Sequence, residues 1–293
     1  MKSLFQLQHF RPAMQLLFLL LFFFIGSAIQ TMILLANPQG VIQNQTANGV
    51  FLLMIATQLC LFILPSLIFI KLLPKSINTF LPIKKLENPV DFLWLFTLAF
   101  GTIFLVSSVA TLLLKIPLGS LADSMQKDRT GLEQVALKMT DWTQIPLRLL
   151  IMGLLPAIGE ELFFRGLIQR FFNTLFKNVP WAIVATALAF AAFHGSIYNF
   201  LPVAIGGIIL GFVYFKTGNM LYNIILHFLI NGIQVVISYL QHGATEEQMP
   251  TSDALLYFGL GIVGAGISFF LLVKHKKSLE NSWAIPFEPL AKG

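Results

Sequence analysis

Residues 149–159 read LLIMGLLPAIG, and residues 160–166 continue as EELFFRG, so two carboxylates and a guanidinium interrupt an otherwise apolar stretch. An ionisable side chain at the centre of a bilayer costs about 2.5 to 3.5 kcal/mol even on the insertion scale that gives the smallest penalties. Hydrophobic packing has no need for three such side chains in one segment. The cluster Glu160, Glu161 and Arg165 therefore predicts a polar site inside a membrane.

The composition of the chain is that of a membrane protein. Of its 293 residues, 56% are hydrophobic and 11% are charged, and the mean hydropathy is +0.79. A soluble domain carries about 25% charged residues. The net charge of +6 could indicate a nucleic-acid partner, but the basic residues occupy short segments between apolar runs, a pattern that reports topology. The predicted partners are the lipid bilayer and a peptide or protein substrate, without nucleic acid.

Apolar segments of about 20 residues, the length needed to cross a bilayer as a helix, recur along the chain. The sequence predicts an all-α polytopic membrane protein with about eight transmembrane helices and a polar site within the bundle. We expect three parts, an N-terminal region 1–146, a catalytic core 147–240 and a final region 241–293. The predicted spans are 14–36, 50–70, 92–114, 147–167, 181–194, 200–215, 219–240 and 254–273.

Basic residues are distributed unequally between the two sides of these spans. With both termini in the cytoplasm, most of the 19 lysines and arginines fall in cytoplasmic segments, as the positive-inside rule requires. We expect this orientation, in a bacterial inner membrane. The cytoplasmic set is Lys2, Arg11, Lys71, Lys75, Lys84, Lys85, Arg165, Arg170, Lys177, Lys216, Lys274, Lys276, Lys277 and Lys292; the outer set is Lys115, Lys127, Arg129, Lys138 and Arg148.

The long connection 116–146 has apolar residues mostly three or four positions apart, which predicts an amphipathic helix at the bilayer surface. This helix is either a simple connector or a cover over the site that follows it in sequence. Its apolar residues are Leu121, Met125, Leu132, Val135, Ala136, Met139 and Trp142.

Glycines in two of the predicted spans have the spacing that allows helices to approach closely. Gly207 and Gly211 form a GxxxG pair. The last span carries Gly259, Gly261, Gly264 and Gly266. Close helix contact is the expected role of both sets.

Two of the five histidines, His194 and His227, lie within apolar stretches and have partners at helical spacing. Phe190 precedes His194 by four residues, and Asn231 follows His227 by four residues. Because positions i and i+4 share a helix face, His227 and Asn231 should point the same way. His9, His242 and His275 occupy polar end or loop segments, and a surface position explains them.

Helical spacing also divides the two glutamates. Glu161 and Arg165 are four residues apart and should form an ion pair, which lowers the cost of burying both charges. Glu160 points about 100° away from Glu161 and has no local counter-charge. We therefore expect Glu160 to carry the chemistry as a general base and the Glu161–Arg165 pair to support the site.

The rise of a helix gives a crude estimate of depth. At 1.5 Å per residue, Glu160 lies about 11 Å from the cytoplasmic end of its predicted span and His227 about 12 Å. His194 lies about 21 Å from the same side, so it agrees less well with the other two.

The set Glu160, His194, His227 and Asn231 suits the activation of water, since no convincing serine or cysteine nucleophile accompanies it. In one scheme Glu160, His194 and His227 hold zinc or another divalent metal, which lowers the pKa of bound water. In the other scheme no metal is present and Glu160 deprotonates water directly with the help of His194. In either scheme, His227 and Asn231 could donate hydrogen bonds to the oxyanion.

These three elements resemble the signature of the CAAX protease and bacteriocin-processing family (CPBP, also called Abi or type II CAAX prenyl endopeptidase-like), whose motifs are EExxxR, FxxxH and HxxxN or HxxxB in that order. The matching residues are Glu160, Glu161 and Arg165, then Phe190 and His194, then His227 and Asn231. The resemblance covers about 150–240. It implies an all-helical intramembrane endopeptidase, of metallo or glutamate type.

The resemblance does not identify a substrate. Eukaryotic members of the family remove the last three residues after a prenylated cysteine, and some bacterial members are linked to bacteriocin immunity or processing. Two other functions stay open: an ion-coupled transporter that uses the same residues as a proton relay, and a non-catalytic immunity or scaffold protein. The transporter hypothesis expects repeat halves and broken helices, which the sequence does not display.

Overall fold

The computed structural model describes residues 7, 10–36, 46–73, 82–86, 88–241 and 250–275. Across these ranges the chain is helical and contains no strand. The predicted surface residues His9 and His242, and most of the charged N- and C-terminal segments, lie outside them. The longer helices in the described ranges are α1 (Pro12–Leu35), α2 (Ala47–Lys71), α3 (Val90–Leu113), α4 (Ser120–Leu137), α5 (145–176), α6 (Val179–Phe193), α7 (Ile197–Thr217), α8 (Met220–Leu240) and α9 (Thr251–His275).

The all-helical membrane architecture predicted from the sequence is confirmed. Among the described residues, six helices are long and apolar enough to cross a bilayer, namely α1, α2, α3, α7, α8 and α9. Helix α6 is apolar but shorter. Helix α5 is continuous, but its apolar sequence is interrupted by the charged residues Glu160, Glu161 and Arg165. Each of the eight predicted spans therefore corresponds to a helix, with α4 as an additional one between α3 and α5.

Helix α5 is longer than predicted, and this changes the estimated depth of the site. It continues to Phe176 and ends at Lys177, whose φ of 51° is left-handed. Fifteen of its residues precede Glu160 and sixteen follow it, so Glu160 lies at the middle of the helix. His194 is fifteen residues beyond the start of α6. At 1.5 Å per residue both lie about 22 to 24 Å from the end where α5 meets α6, so these two residues now agree in depth. His227 lies only about 10 Å from the start of α8, so counting residues along single helices does not place it level with Glu160.

Arg165 and Arg170, which we counted with the basic residues of the cytoplasmic segments, are part of a helix that continues beyond the predicted span 147–167. Both lie inside α5, with exposed fractions of 0% and 5%. Arg170 donates to the Tyr214 hydroxyl at 2.6 Å, and Gln169 donates to the Gly211 carbonyl at 3.0 Å. Because these polar side chains bond to α7, the helix can continue through a segment whose composition resembles a loop.

The helix predicted in the long connection is present as α4, and both of its ends are tied to other elements. Near its start, Gln126 Oε1 accepts hydrogen bonds from Ser196 Oγ at 3.1 Å and Asn199 Nδ2 at 2.8 Å. Beyond its end, Arg148 at the start of α5 donates to the carbonyls of Ala136 at 3.0 Å and Lys138 at 2.7 Å. Helix α4 thus connects the start of α5 to the segment that directly follows His194.

Glycines hold α9 close to α3. A Cβ atom on Gly261 would lie 2.7 Å from the Leu105 backbone nitrogen, and one on Gly264 would lie 3.4 Å from the Gly101 Cα. Gly259 and Gly266 have no described atom within 4 Å of that position. The predicted close contact therefore involves Gly261 and Gly264, while the other two glycines face away.

Gly261→Ala is expected to destabilise the protein by about 1 to 3 kcal/mol, the usual cost of overpacking, because its Cβ would meet backbone atoms that cannot move alone. Gly259→Ala, two residues away on the same helix, is the matched control and should leave stability unchanged or slightly raised. Thermal unfolding of both variants in one detergent measures the difference. Equal midpoints for the two variants would contradict the α3–α9 packing.

Candidate active site

Glu161 is a fully buried carboxylate whose two oxygens accept three hydrogen bonds. Its Oε1 receives Arg165 Nη1 at 2.7 Å and His227 Nδ1 at 2.9 Å. Its Oε2 receives Asn223 Nδ2 at 3.0 Å. The ion pair predicted from the four-residue spacing is present, and neither side chain is exposed. The guanidinium offsets the charge that would otherwise make this burial very costly.

Arg165 connects this carboxylate to α7 and α6. Its Nη2 donates to the Gly207 carbonyl at 3.0 Å, and its guanidinium carbon lies 4.9 Å from the centre of the Phe190 ring. A Cβ on Gly207 would lie 3.0 Å from the Ala187 Cβ of α6. The GxxxG pair on α7 therefore does allow close helix contact, and it also presents a backbone acceptor to the buried arginine.

His227 lies between the two glutamates, with one ring nitrogen facing each of them. A carboxylate can only accept, so the 2.9 Å contact with Glu161 places the proton on Nδ1. The other nitrogen, Nε2, is 3.8 Å from Glu160 Oε2. The two glutamates diverge along the helix, yet a single imidazole approaches both of them with its opposite edges.

Glu160 also has a partner that the sequence did not indicate. Gln58 Nε2, from α2, donates to Glu160 Oε1 at 2.7 Å. The Glu160 side chain keeps an exposed fraction of 11% and that of His227 keeps 6%, whereas Glu161 and Arg165 keep none. Access from outside is therefore confined to the Glu160 side of the cluster, opposite the ion pair.

His194 and Phe190 lie at the end of α6 beside this cluster. His194 Nδ1 is 2.9 Å from the Phe190 carbonyl oxygen, and because that oxygen can only accept, Nδ1 carries the proton and Nε2 is left as a base or acceptor. The Phe190 ring is 4.6 Å from the His194 ring and 6.1 Å from the His227 ring, edge-on to both. Phe190 thus packs against both imidazoles.

Asn231 lies one turn after His227 on α8 and is partly exposed. Its side chain makes no hydrogen bond to any residue of the described ranges. A different asparagine, Asn223, lies one turn before His227 and binds Glu161 and the Leu210 carbonyl at 2.8 Å. The sequence could have indicated Asn223, since Asn223, His227 and Asn231 share one helix face at four-residue spacing.

The three side chains predicted as metal ligands do not converge on a common point in this arrangement. Within the described part of the chain, no group of three or more His, Cys, Asp or Glu side chains is placed to hold a metal ion. Glu160 and His227 approach each other at 3.8 Å, and His194 does not complete a ligand set with them. A metal-dependent scheme would need these donors to lie closer together.

Comparison with known protein families identifies the segment that contains this site. Residues 142–233 match the family model described as Type II CAAX prenyl endopeptidase Rce1-like. The matched segment includes every motif residue from Glu160 to Asn231, and it confirms the resemblance to the CAAX protease and bacteriocin-processing family. No curated protein and no solved structure gives a significant match to the chain.

Proposed function

We propose that this protein is an intramembrane endopeptidase that hydrolyses a peptide bond of a membrane-associated protein or peptide with water activated by Glu160. The observation that carries the proposal is the placement of Glu160 Oε2 3.8 Å from His227 Nε2, beside a buried ion pair that orients the imidazole. The family match over 142–233 supports a protease in general.

We place the attacking water beside Glu160 Oε2 and His227 Nε2. Their separation of 3.8 Å is too long for a direct hydrogen bond, and in this proposal one water at the edge of the gap bonds to both atoms. Glu160 accepts a proton from this water while the water oxygen attacks the carbonyl carbon of the scissile bond. The C–O bond forms, and Glu160 then returns the proton to the leaving amine as the C–N bond breaks.

The two histidines have complementary parts in this scheme. His194, with its proton on Nδ1, offers Nε2 as a second acceptor for the water. His227 can donate at Nε2 only when that nitrogen takes up a proton from surrounding water, because its Nδ1 proton is already donated to the Glu161 carboxylate. His227, together with Asn231 one turn further along α8, then donates hydrogen bonds to the oxyanion.

Chelation separates direct water activation from a metal-dependent scheme. Since the predicted ligands do not converge, we expect cleavage by the purified protein to continue at an unchanged rate after dialysis against a strong chelator. Metal analysis of the same sample by mass spectrometry provides the control. Loss of activity that zinc restores would show that Glu160, His194 and His227 come together on a metal.

The function itself is tested with purified protein in proteoliposomes. The probes are an S-farnesylated peptide, chosen because of the family description, and a set of membrane-anchored reporter peptides without a prenyl group. Mass spectrometry then searches for new C-termini. Ion flux without cleavage would favour a transporter, and protection of cells by a Glu160→Gln variant would favour a non-catalytic immunity or scaffold role.

We propose that the site acts in a bacterial inner membrane with both termini in the cytoplasm. Helix α4 and His194 then lie toward the outer face, where α4 partly covers the site. A cysteine-accessibility experiment with membrane-impermeant reagents tests this orientation. Residues of α4 should react from the outside of intact cells, and reaction only in inverted vesicles would reverse the topology.

A further inference from the structure

Gln58 is a buried amide on α2 that contacts the candidate active site from outside the segment matched to the protease family. Its exposed fraction is 6%, and its Nε2 donates to Glu160 Oε1 at 2.7 Å. The family match begins at residue 142. The partner of Glu160 is therefore supplied by the N-terminal part of the chain, 102 residues away in sequence.

The neighbouring glycine leaves the space in which this amide sits. A Cβ atom on Gly159 would lie 2.7 Å from Gln58 Oε1 and 3.2 Å from Ile63 Cγ1. Oε1 therefore rests against the Gly159 backbone, where no side chain fits. Since a carboxylate cannot donate, the amide must present Nε2 to Glu160, while Oε1 is buried and accepts no hydrogen bond from the described residues.

The contact also determines which oxygen of Glu160 is available. Oε1 is engaged by Gln58 at 2.7 Å, and Oε2 is the oxygen that faces His227 at 3.8 Å. Without the amide, the carboxylate could rotate about its last bond and lose this alignment. A misplacement of about 1 Å at a reacting group can reduce a rate by about 10²-fold.

We infer that Gln58 is a positioning residue that holds the Glu160 carboxylate with one oxygen directed at the attacking water, so that the catalytic site is assembled from α2 as well as from the family-matched segment. This inference rests on the proposed role of Glu160. It assigns a functional contact to α2, a helix whose sequence otherwise indicates only an apolar membrane span.

Kinetics of three variants test the inference. Gln58→Met keeps the side-chain volume and removes the donor, and it should lower kcat by about 10- to 100-fold with little change in KM. Gln58→Asn keeps the amide on a shorter stem and should fall between Gln58→Met and the native protein. Gly159→Ala, which displaces the amide, should reproduce the kcat loss of Gln58→Met.

Gln30 provides a matched control. Its Nε2 donates to Thr57 Oγ1 at 2.6 Å, so it makes a glutamine hydrogen bond between α1 and α2 that does not involve Glu160. Gln30→Met should leave kcat per folded molecule unchanged. If Gln58→Met reduces the folded yield while kcat per folded molecule stays native, Gln58 is merely structural and the inference is overturned.

A readout that does not need a substrate separates this inference from the proposed function. A hydrophobic carbodiimide reacts with carboxyl groups that it can reach in apolar surroundings, and in the native protein Gln58 engages one of the two Glu160 oxygens. Labelling of Glu160, read by peptide mass spectrometry, should rise several-fold in Gln58→Met and stay unchanged in Gln30→Met.

Increased Glu160 labelling in a protein that cleaves no probe would support the Gln58 contact while counting against the proposed protease. Native labelling of Glu160 together with native kcat in Gln58→Met would overturn the inference even if the protein is a protease.

Discussion

Glu160→Gln is expected to reduce peptide cleavage by about 10²- to 10⁴-fold, the contribution usual for a general base, while the protein still inserts and folds. The amide has the same size as the carboxylate and can still accept the hydrogen bond from Gln58 at its oxygen. It cannot take a proton from water. Initial rates in proteoliposomes, normalised to folded protein by size-exclusion chromatography, measure the loss.

Asp253→Asn serves as the control for this experiment. Asp253 lies at the start of α9, is exposed, and accepts from Ser252 away from the site, so the same chemical change there should leave the rate native. A Glu160→Gln variant that cleaves at the native rate would remove Glu160 from the mechanism. His194→Gln and His227→Gln are expected to lose activity in the same assay.

Arg165→Met is expected to have the largest effect on stability, about 3 to 5 kcal/mol, because it leaves Glu161 as a buried carboxylate without its cation. Glu161 and Arg165 are both fully buried, and their atoms are 2.7 Å apart. The variant also loses the hydrogen bond to the Gly207 carbonyl. Folded yield and thermal unfolding in a mild detergent measure the effect, and a native midpoint would contradict the supporting role of the pair.

A double variant separates the charge from the packing. Glu161→Gln combined with Arg165→Met removes both charges together and keeps an oxygen that can accept from His227 Nδ1. Replacing both members of a buried pair is often close to neutral, so most of the stability lost in Arg165→Met should return. If the double variant is as unstable as Arg165→Met, the loss arises from packing and from the Gly207 contact.

Regular helical patterns allowed the sequence to predict most of the fold. The eight apolar segments correspond to helices because length and composition suffice to identify a span, and the Glu161–Arg165 pair follows from four-residue spacing. The end of α5 was placed too early. Gln169, Arg170 and Asn173 look like loop residues in sequence, but they are buried, and the first two bond to α7.

The part of the site that the sequence did not predict depends on contacts between distant residues. Gln58 is one amide in a long uncharged segment, and nothing in its spacing relates it to Glu160. The position of His227 between two adjacent glutamates also could not be derived, since helix geometry alone separates those glutamates by about 100°. Such contacts are set by how α2 and α8 pack against α5, which a pattern within one helix does not encode.

The origin of the oxygen in the product tests the central claim most directly. A cleavage reaction is run with enzyme in excess over the peptide probe, in water enriched in the heavy isotope of oxygen. If Glu160 activates water, the new C-terminal carboxylate of the product carries one heavy oxygen and the side chain of residue 160 carries none. Heavy oxygen in the Glu160 side chain, or no cleavage of any probe, would contradict the account.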